Sequence, residues 1–174
     1  TVSACVSVLR QMRTVRRSLT QPLLRTIISS LVLSRLDYCI SLLSGMPASQ
    51  LRRLQAVINA SARLVFAQSR FHSVSPLLRE LKWLPVSARI DSRLAILASK
   101  GLRGMAPAYL KNELRAVSAN PRRSGLRSSA SNALLPPFVR RPTIGGRAFP
   151  VTVTRVWNCL PASITSSDIS HASF

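Results

Sequence analysis

Acidic residues are almost missing from this sequence. Only 5 aspartates and glutamates stand against 25 lysines and arginines in 174 residues, a net charge of +20. The acids, Asp37, Glu80, Asp91, Glu113 and Asp168, are scattered singly. Two-metal phosphoryl transfer needs clustered carboxylates to hold its ions, so that chemistry has no parts here. Cysteine is sparse too. Cys5, Cys39 and Cys159 lie far apart without a C-x-x-C pair, which argues against a disulfide framework and for a reducing intracellular compartment such as nucleus or cytoplasm. The two histidines, His72 and His171, are equally isolated, so neither a metal-ligand pair nor a nucleophile with its base is legible. A G-x-S-x-G elbow, a phosphate-binding P-loop and a G-x-G-x-x-G turn are all absent. The chain by itself does not read as an enzyme, and no cofactor or small-molecule substrate is expected.

Aromatic residues make up only 5% of the chain. The core must therefore come from Leu, Ile, Val and Ala, and Trp83 and Trp157 read as core anchors. Phe66 and Phe71 flank Arg70, but aromatic interleaving is too thin to announce a stacking platform for single strands. Long apolar runs are missing as well. The most apolar stretch, Leu23 to Met46, is cut by Arg25, Arg35 and Asp37 and cannot supply about 20 consecutive apolar residues, so no membrane partner is expected. Thr1 to Leu36 has six arginines and no acid, as a transit peptide would, but the same character continues along the chain. The start at Thr1 rather than Met reads as a piece of a longer protein.

What the chain does have is apolar substance and arginine. Hydrophobic residues account for 47%, enough to build a core. Only Lys82, Lys100 and Lys111 are lysines. A domain so short of counter-charge repels itself, which points to a polyanionic partner, and arginine's planar fork suits phosphate. A GC-rich coding sequence would also favour arginine over lysine, although it leaves the charge imbalance in place.

Periodicity and punctuation predict a mostly α chain. Val2 to Arg17 places Cys5, Val6, Leu9, Met12 and Val15 at helical spacing. Thr20 and Pro22 open a second helix, with Leu23, Leu24, Ile27, Ile28, Leu31 and Val32 expected on its apolar face. Gly45 stops that stretch, and a third helix runs from about Pro47 or Ser49 to Phe66. Ser75-Pro76 begins a short helix through Lys82, Pro85 opens one ending near Gly104, and Pro107 starts another through Leu114. From Arg115 to Arg155 there are arginines but no acid, and Pro121, Pro136, Pro137, Pro142 and Pro150 break any long helix. Ala119 to Ser131 reads as a mobile basic loop and Ala133 to Val139 as extended. Gly145 to Leu160 reads as an amphipathic helix if Pro150 sits in its first turn or kinks it. The expected organisation is a small helical bundle over 1–114, a basic irregular linker over 115–144, and a C-terminal helix with a frayed tail over 145–174.

Basic residues form stripes on these helices. At 100° per residue, Arg52 and Arg63 differ by about 20°, and Arg89, Arg93 and Lys100 fall within about 40° of one another. With Arg122, Arg123, Arg127, Arg140 and Arg141 of the linker they form the candidate nucleic-acid-binding set. Such a set implies binding by charge and shape with little reading of base sequence. The competing reading is that each stripe is the solvated face of a core helix, in a protein-interaction scaffold or a remnant without function.

Four stretches together resemble one family. They are Ser34-Arg35-Leu36-Asp37-Tyr38-Cys39; Leu51-Arg52-Arg53-Leu54-Gln55 with Asn59-Ala60-Ser61-Ala62-Arg63-Leu64-Val65; Pro76-Leu77-Leu78-Arg79-Glu80-Leu81-Lys82-Trp83-Leu84-Pro85-Val86; and Arg147-Ala148-Phe149 with Trp157-Asn158-Cys159-Leu160-Pro161. In that order they resemble the C-terminal part, thumb and beyond, of non-LTR (LINE-type) retrotransposon reverse transcriptases of the jockey and chicken-repeat kind. Gly104-Met105-Ala106-Pro107 with Tyr109-Leu110, and Leu126-Arg127-Ser128-Ser129, fit the same pattern. The resemblance implies a helical thumb gripping RNA or an RNA/DNA duplex beside an upstream polymerase palm. The family's Y/F-x-D-D metal motif belongs to the palm and does not occur here, so no catalytic residue carries over. Ile40, Ser99, Gly101 and Pro150 depart from the family pattern, as in a degenerate or truncated copy. Gly101 should weaken its helix by about 1 kcal/mol against Ala.

Overall fold

The computed structural model describes residues 1–119 and 132–165. The chain is mostly helical, and among the described residues there is no strand, only an isolated antiparallel bridge between Ala116 and Leu134. It divides into two compact units, Thr1–Ile90 and Asp91–Phe174.

The first unit is built around α4 (Ala48–Val65), which packs against α1 (Val2–Val15), α2 (Gln21–Ile28) and α5 (Ser75–Leu81). Its buried residues, Val57, Ile58, Ser61, Ala62, Leu64 and Val65, all lie in the later turns; in the first turns Leu51, Leu54 and Gln55 are half-buried, and Arg52 and Arg53 are exposed. Ser61 is fully buried and hands its hydroxyl proton to the Val57 carbonyl at 2.8 Å, which satisfies it without a partner helix. The α1 helix contributes Cys5 and Leu9 to the core, while Val15 is exposed.

The second helical run differs from the expected apolar face. Leu24, Ile28 and Val32 are buried, but Leu23 and Leu31 are largely exposed. Ser29–Leu33 is a π-helical turn, closed by the Ser34 N–H on the Ser29 carbonyl, and it leads into α3 (Ser34–Asp37). The extra residue in that turn rotates the register, so that Val32 and Leu33 are buried together and Leu36 follows them. A regular 3.6-residue repeat does not anticipate this shift. Each fully buried Leu or Ile here is worth about 1.5–3 kcal/mol of apolar burial.

The end of α5 is set by its cap. Lys82 adopts the left-handed region at φ 56°, its N–H bonds the Arg79 carbonyl at 3.0 Å, and the Trp83 N–H reaches the Leu78 carbonyl at 2.8 Å. This Schellman-type closure reverses the chain and brings Trp83 into the core, 7% exposed. The next helix, α6 (Val86–Leu102), is capped by a side chain from α4. Gln55 Oε1 accepts the Val86 N–H at 2.8 Å, and the Gln55 amide is itself aimed by a 2.8 Å bond from its Nε2 to Asn59 Oδ1.

The boundary between the units falls within α6. The second unit takes the rest of α6, then α7 (Ala108–Glu113), α8 (Pro142–Gly145), α9 (Phe149–Asn158) and α10 (Ala162–Thr165). Gly101 is buried because the Leu114 side chain lies where a Cβ would project. Pro150 lies in the first turn of α9, where its missing N–H costs nothing, so α9 starts at Phe149 rather than at Gly145.

The segments that flank the expected Ala119 to Ser131 loop are tied to each other. The Val117 N–H bonds the Ala133 carbonyl at 2.9 Å and the Leu135 N–H bonds the Arg115 carbonyl at 2.7 Å. Asn158 completes the arrangement: its Oδ1 accepts the Leu134 N–H and its Nδ2 donates to the Leu134 carbonyl, each at 2.9 Å. Trp157 Nε1 donates to the Asn132 carbonyl at 2.8 Å. The Trp157-Asn158 pair thus serves the second edge of the 132–135 segment, whose first edge is bonded to residues 115–117. The Ala119 to Ser131 loop beyond Ala119, and the tail from 166 onward, lie outside the described residues.

Candidate nucleic-acid interface

The structure separates the candidate arginines into those open to solvent and those committed within the fold. Arg52 is exposed in the first half of α4, and Arg53 beside it is exposed as well. Arg63 is half-buried, and its Nε and Nη2 both point at the His72 carbonyl, at 3.4 and 3.3 Å. It braces the chain after α4 rather than standing free beside Arg52.

Arg89 is committed more deeply. Its side chain is 13% exposed; Nη1 donates to both carboxylate oxygens of Asp37 at 2.8 Å, and Nε donates to the Leu84 carbonyl at 2.8 Å. Helical arithmetic placed Arg89 with Arg93 and Lys100, but Arg89 is drawn inward by an acid 52 positions away, which no local spacing reveals. In the second unit Arg93, Lys100, Arg140 and Arg141 are exposed. Arg122, Arg123 and Arg127 lie outside the described residues, as does the Leu126 to Ser129 motif.

Two groups were overlooked in the sequence. Arg53 adjoins Arg52 in the open turns of α4. Arg10 and Arg13 are exposed one turn apart on α1, with Arg17 exposed just beyond it. Three-and-four spacing would have found Arg10, Arg13 and Arg17, whereas Arg53 is marked only by its place next to Arg52. Open guanidinium groups of this kind can each take a phosphate bidentately. Opposing charge is scarce, because Asp37 is already paired with Arg89 and no acid occurs between Asp37 and Glu80.

Among the described residues no group of three or more His, Cys, Asp or Glu is placed to hold a metal ion. No described helix is long and apolar enough to cross a membrane. Comparison with protein families, with curated proteins and with solved structures finds no match to this chain.

Proposed function

We propose that the chain holds the phosphate backbone of a nucleic acid, RNA or an RNA/DNA duplex, and does no chemistry on it. It would do so as the thumb and downstream region of a non-LTR retrotransposon reverse transcriptase, beside that enzyme's polymerase palm. The observation that supports this most is electrostatic. A +20 chain leaves Arg52, Arg53, Arg93, Lys100, Arg140 and Arg141 exposed while one of its few acids, Asp37, is neutralised internally. Each phosphate neutralised by such a residue releases condensed counterion, so affinity should be strongly salt-dependent.

The test is a salt titration of binding by the full chain to two unrelated duplexes. The expected result is a log affinity that falls linearly with log salt, with similar slopes on both. Binding that ignores salt, or no binding at low salt, would overturn the proposal. Primer extension with magnesium should be absent. The retroelement assignment has its own test: the same reading frame, translated upstream of Thr1, should contain a Y/F-x-D-D turn between strands.

A further inference from the structure

We propose that the loop between α4 and α5 is a stacking site for an unpaired nucleobase, with Phe71 as its platform; the idea rests on the proposed nucleic-acid function. Phe71 is 82% exposed, whereas Trp83 and Trp157 are buried. The Arg70 guanidinium lies over the Phe71 ring, its Cζ 4.7 Å from the centroid. One face of the ring is thus backed by a cation and most of the ring remains open to solvent.

The loop that presents this pair is braced. Ala67 takes the left-handed region at φ 60°, and the Gln68 N–H bonds the Arg63 carbonyl at 2.9 Å. The His72 N–H bonds the Ser69 carbonyl at 3.2 Å. Arg63 clamps the His72 carbonyl from α4 with two nitrogens. His72 Nδ1 lies 2.9 Å from the Ser73 carbonyl. A ring held out by this many local bonds is pre-organised for contact, which lowers the ordering cost of binding.

The surroundings select the partner. Gln68, Ser69, Arg70, His72 and Ser73 are all exposed and polar, so Phe71 is a lone aromatic ring in a polar stretch of the loop. The chain from Tyr38 to Arg79 has Arg52, Arg53, Arg63, Arg70 and Arg79 and no acid. A flat, polar-edged group flanked by negative charge fits both features, and an unpaired base between its phosphates is that group. Bases inside a duplex are already stacked on their neighbours and do not offer a free face.

The experiment uses the full chain, a short single strand carrying 2-aminopurine at its centre, and the duplex of the same sequence. Wild type should change the 2-aminopurine emission on binding. Phe71→Ala should abolish that change and weaken single-strand binding by about fivefold or more, with duplex affinity nearly unaltered. Phe71→Leu, which keeps apolar bulk without an aromatic face, should behave like the alanine variant, and Phe71→Trp should restore both signals. Unchanged single-strand binding in Phe71→Ala, or equal losses on strand and duplex, would overturn the stacking site. So would loss of self-association in Phe71→Ala with oligonucleotide affinity intact, which would assign the ring to a protein contact. Wild type that binds neither strand nor duplex would sink the proposed function and this site together. Wild type that binds duplex while Phe71→Ala leaves single-strand affinity untouched would sink the stacking site alone.

Discussion

Asp37 and Arg89 stand 52 positions apart in the chain and meet within the first unit, where one guanidinium nitrogen donates to both carboxylate oxygens at 2.8 Å. The pair fastens the end of α3 to the first turn of α6. It also gives the acid in the Ser34 to Cys39 motif a structural partner in Arg89. Replacing Asp37 with Ala leaves a mostly buried cation with only the Leu84 carbonyl for company. Since Asp37 is about one-third exposed, water screens part of the loss, and the expected destabilisation is about 1–3 kcal/mol. Urea denaturation of Asp37→Ala, Arg89→Ala and the double variant should show the two losses to be strongly non-additive. Additive losses would mean the ion pair contributes nothing of its own.

Arg52 and Arg53 offer the clean test of backbone contact, because both are exposed. The Arg52→Ala, Arg53→Ala double variant should fold normally. If both side chains contact phosphate, its salt slope should be shallower than wild type by about 2 on duplex DNA. Arg63 is unsuited to this comparison, since its guanidinium braces His72 and its loss would disturb the loop. A slope unchanged from wild type would reduce these arginines to a solvated face.

Asn158 replaces a missing strand by bonding both the N–H and the carbonyl of Leu134, a residue only 1% exposed. Substitution by Ala strands both backbone groups, at a cost of about 1–3 kcal/mol for each one left unsatisfied. Hydrogen exchange should then accelerate at Leu134 and Leu135 before it does so in α4. Equal protection in variant and wild type would show that the Ala116 bridge alone holds the segment.

Ser99 presents the opposite situation. Its hydroxyl is buried, the residue is 1% exposed, and it has no hydrogen-bond partner. Removing an unsatisfied buried hydroxyl relieves desolvation at the expense of a very small void. Ser99→Ala should leave stability unchanged or raise it by about 1 kcal/mol, read as a shift in the urea midpoint. A clear loss would show that the hydroxyl is bonded in solution.

Much of the motif pattern that suggested a retroelement thumb turns out to be internal joinery. Gln55 and Asn59 of the α4 motif cap α6, Lys82-Trp83 close α5, and Trp157-Asn158 hold residues 132–135. Gln55 and Trp157-Asn158 do not reveal their roles by spacing, because Val86 and residues 132–134 lie on other elements, whereas Lys82-Trp83 act locally on α5. The π turn at Ser29–Leu33 was hidden for a related reason: an inserted residue looks the same in sequence as a regular one.

By itself, the amino-acid order determined the helical class, most helix ends and the excess of positive charge. Apolar periodicity, proline and glycine act on the nearest few residues, and net charge is a plain sum. The tertiary structure decided which charges and rings are free. Arg52 is open while Arg63 and Arg89 are engaged by partners within the fold, and Phe71 is held out into solvent. For the arginines this depends on which carboxylate or carbonyl comes within hydrogen-bonding reach, 2.8 Å for Arg89 and 3.3 Å for Arg63. Hydrogen bonds and ion pairs are short-ranged, so their partners exist only once the helices have packed.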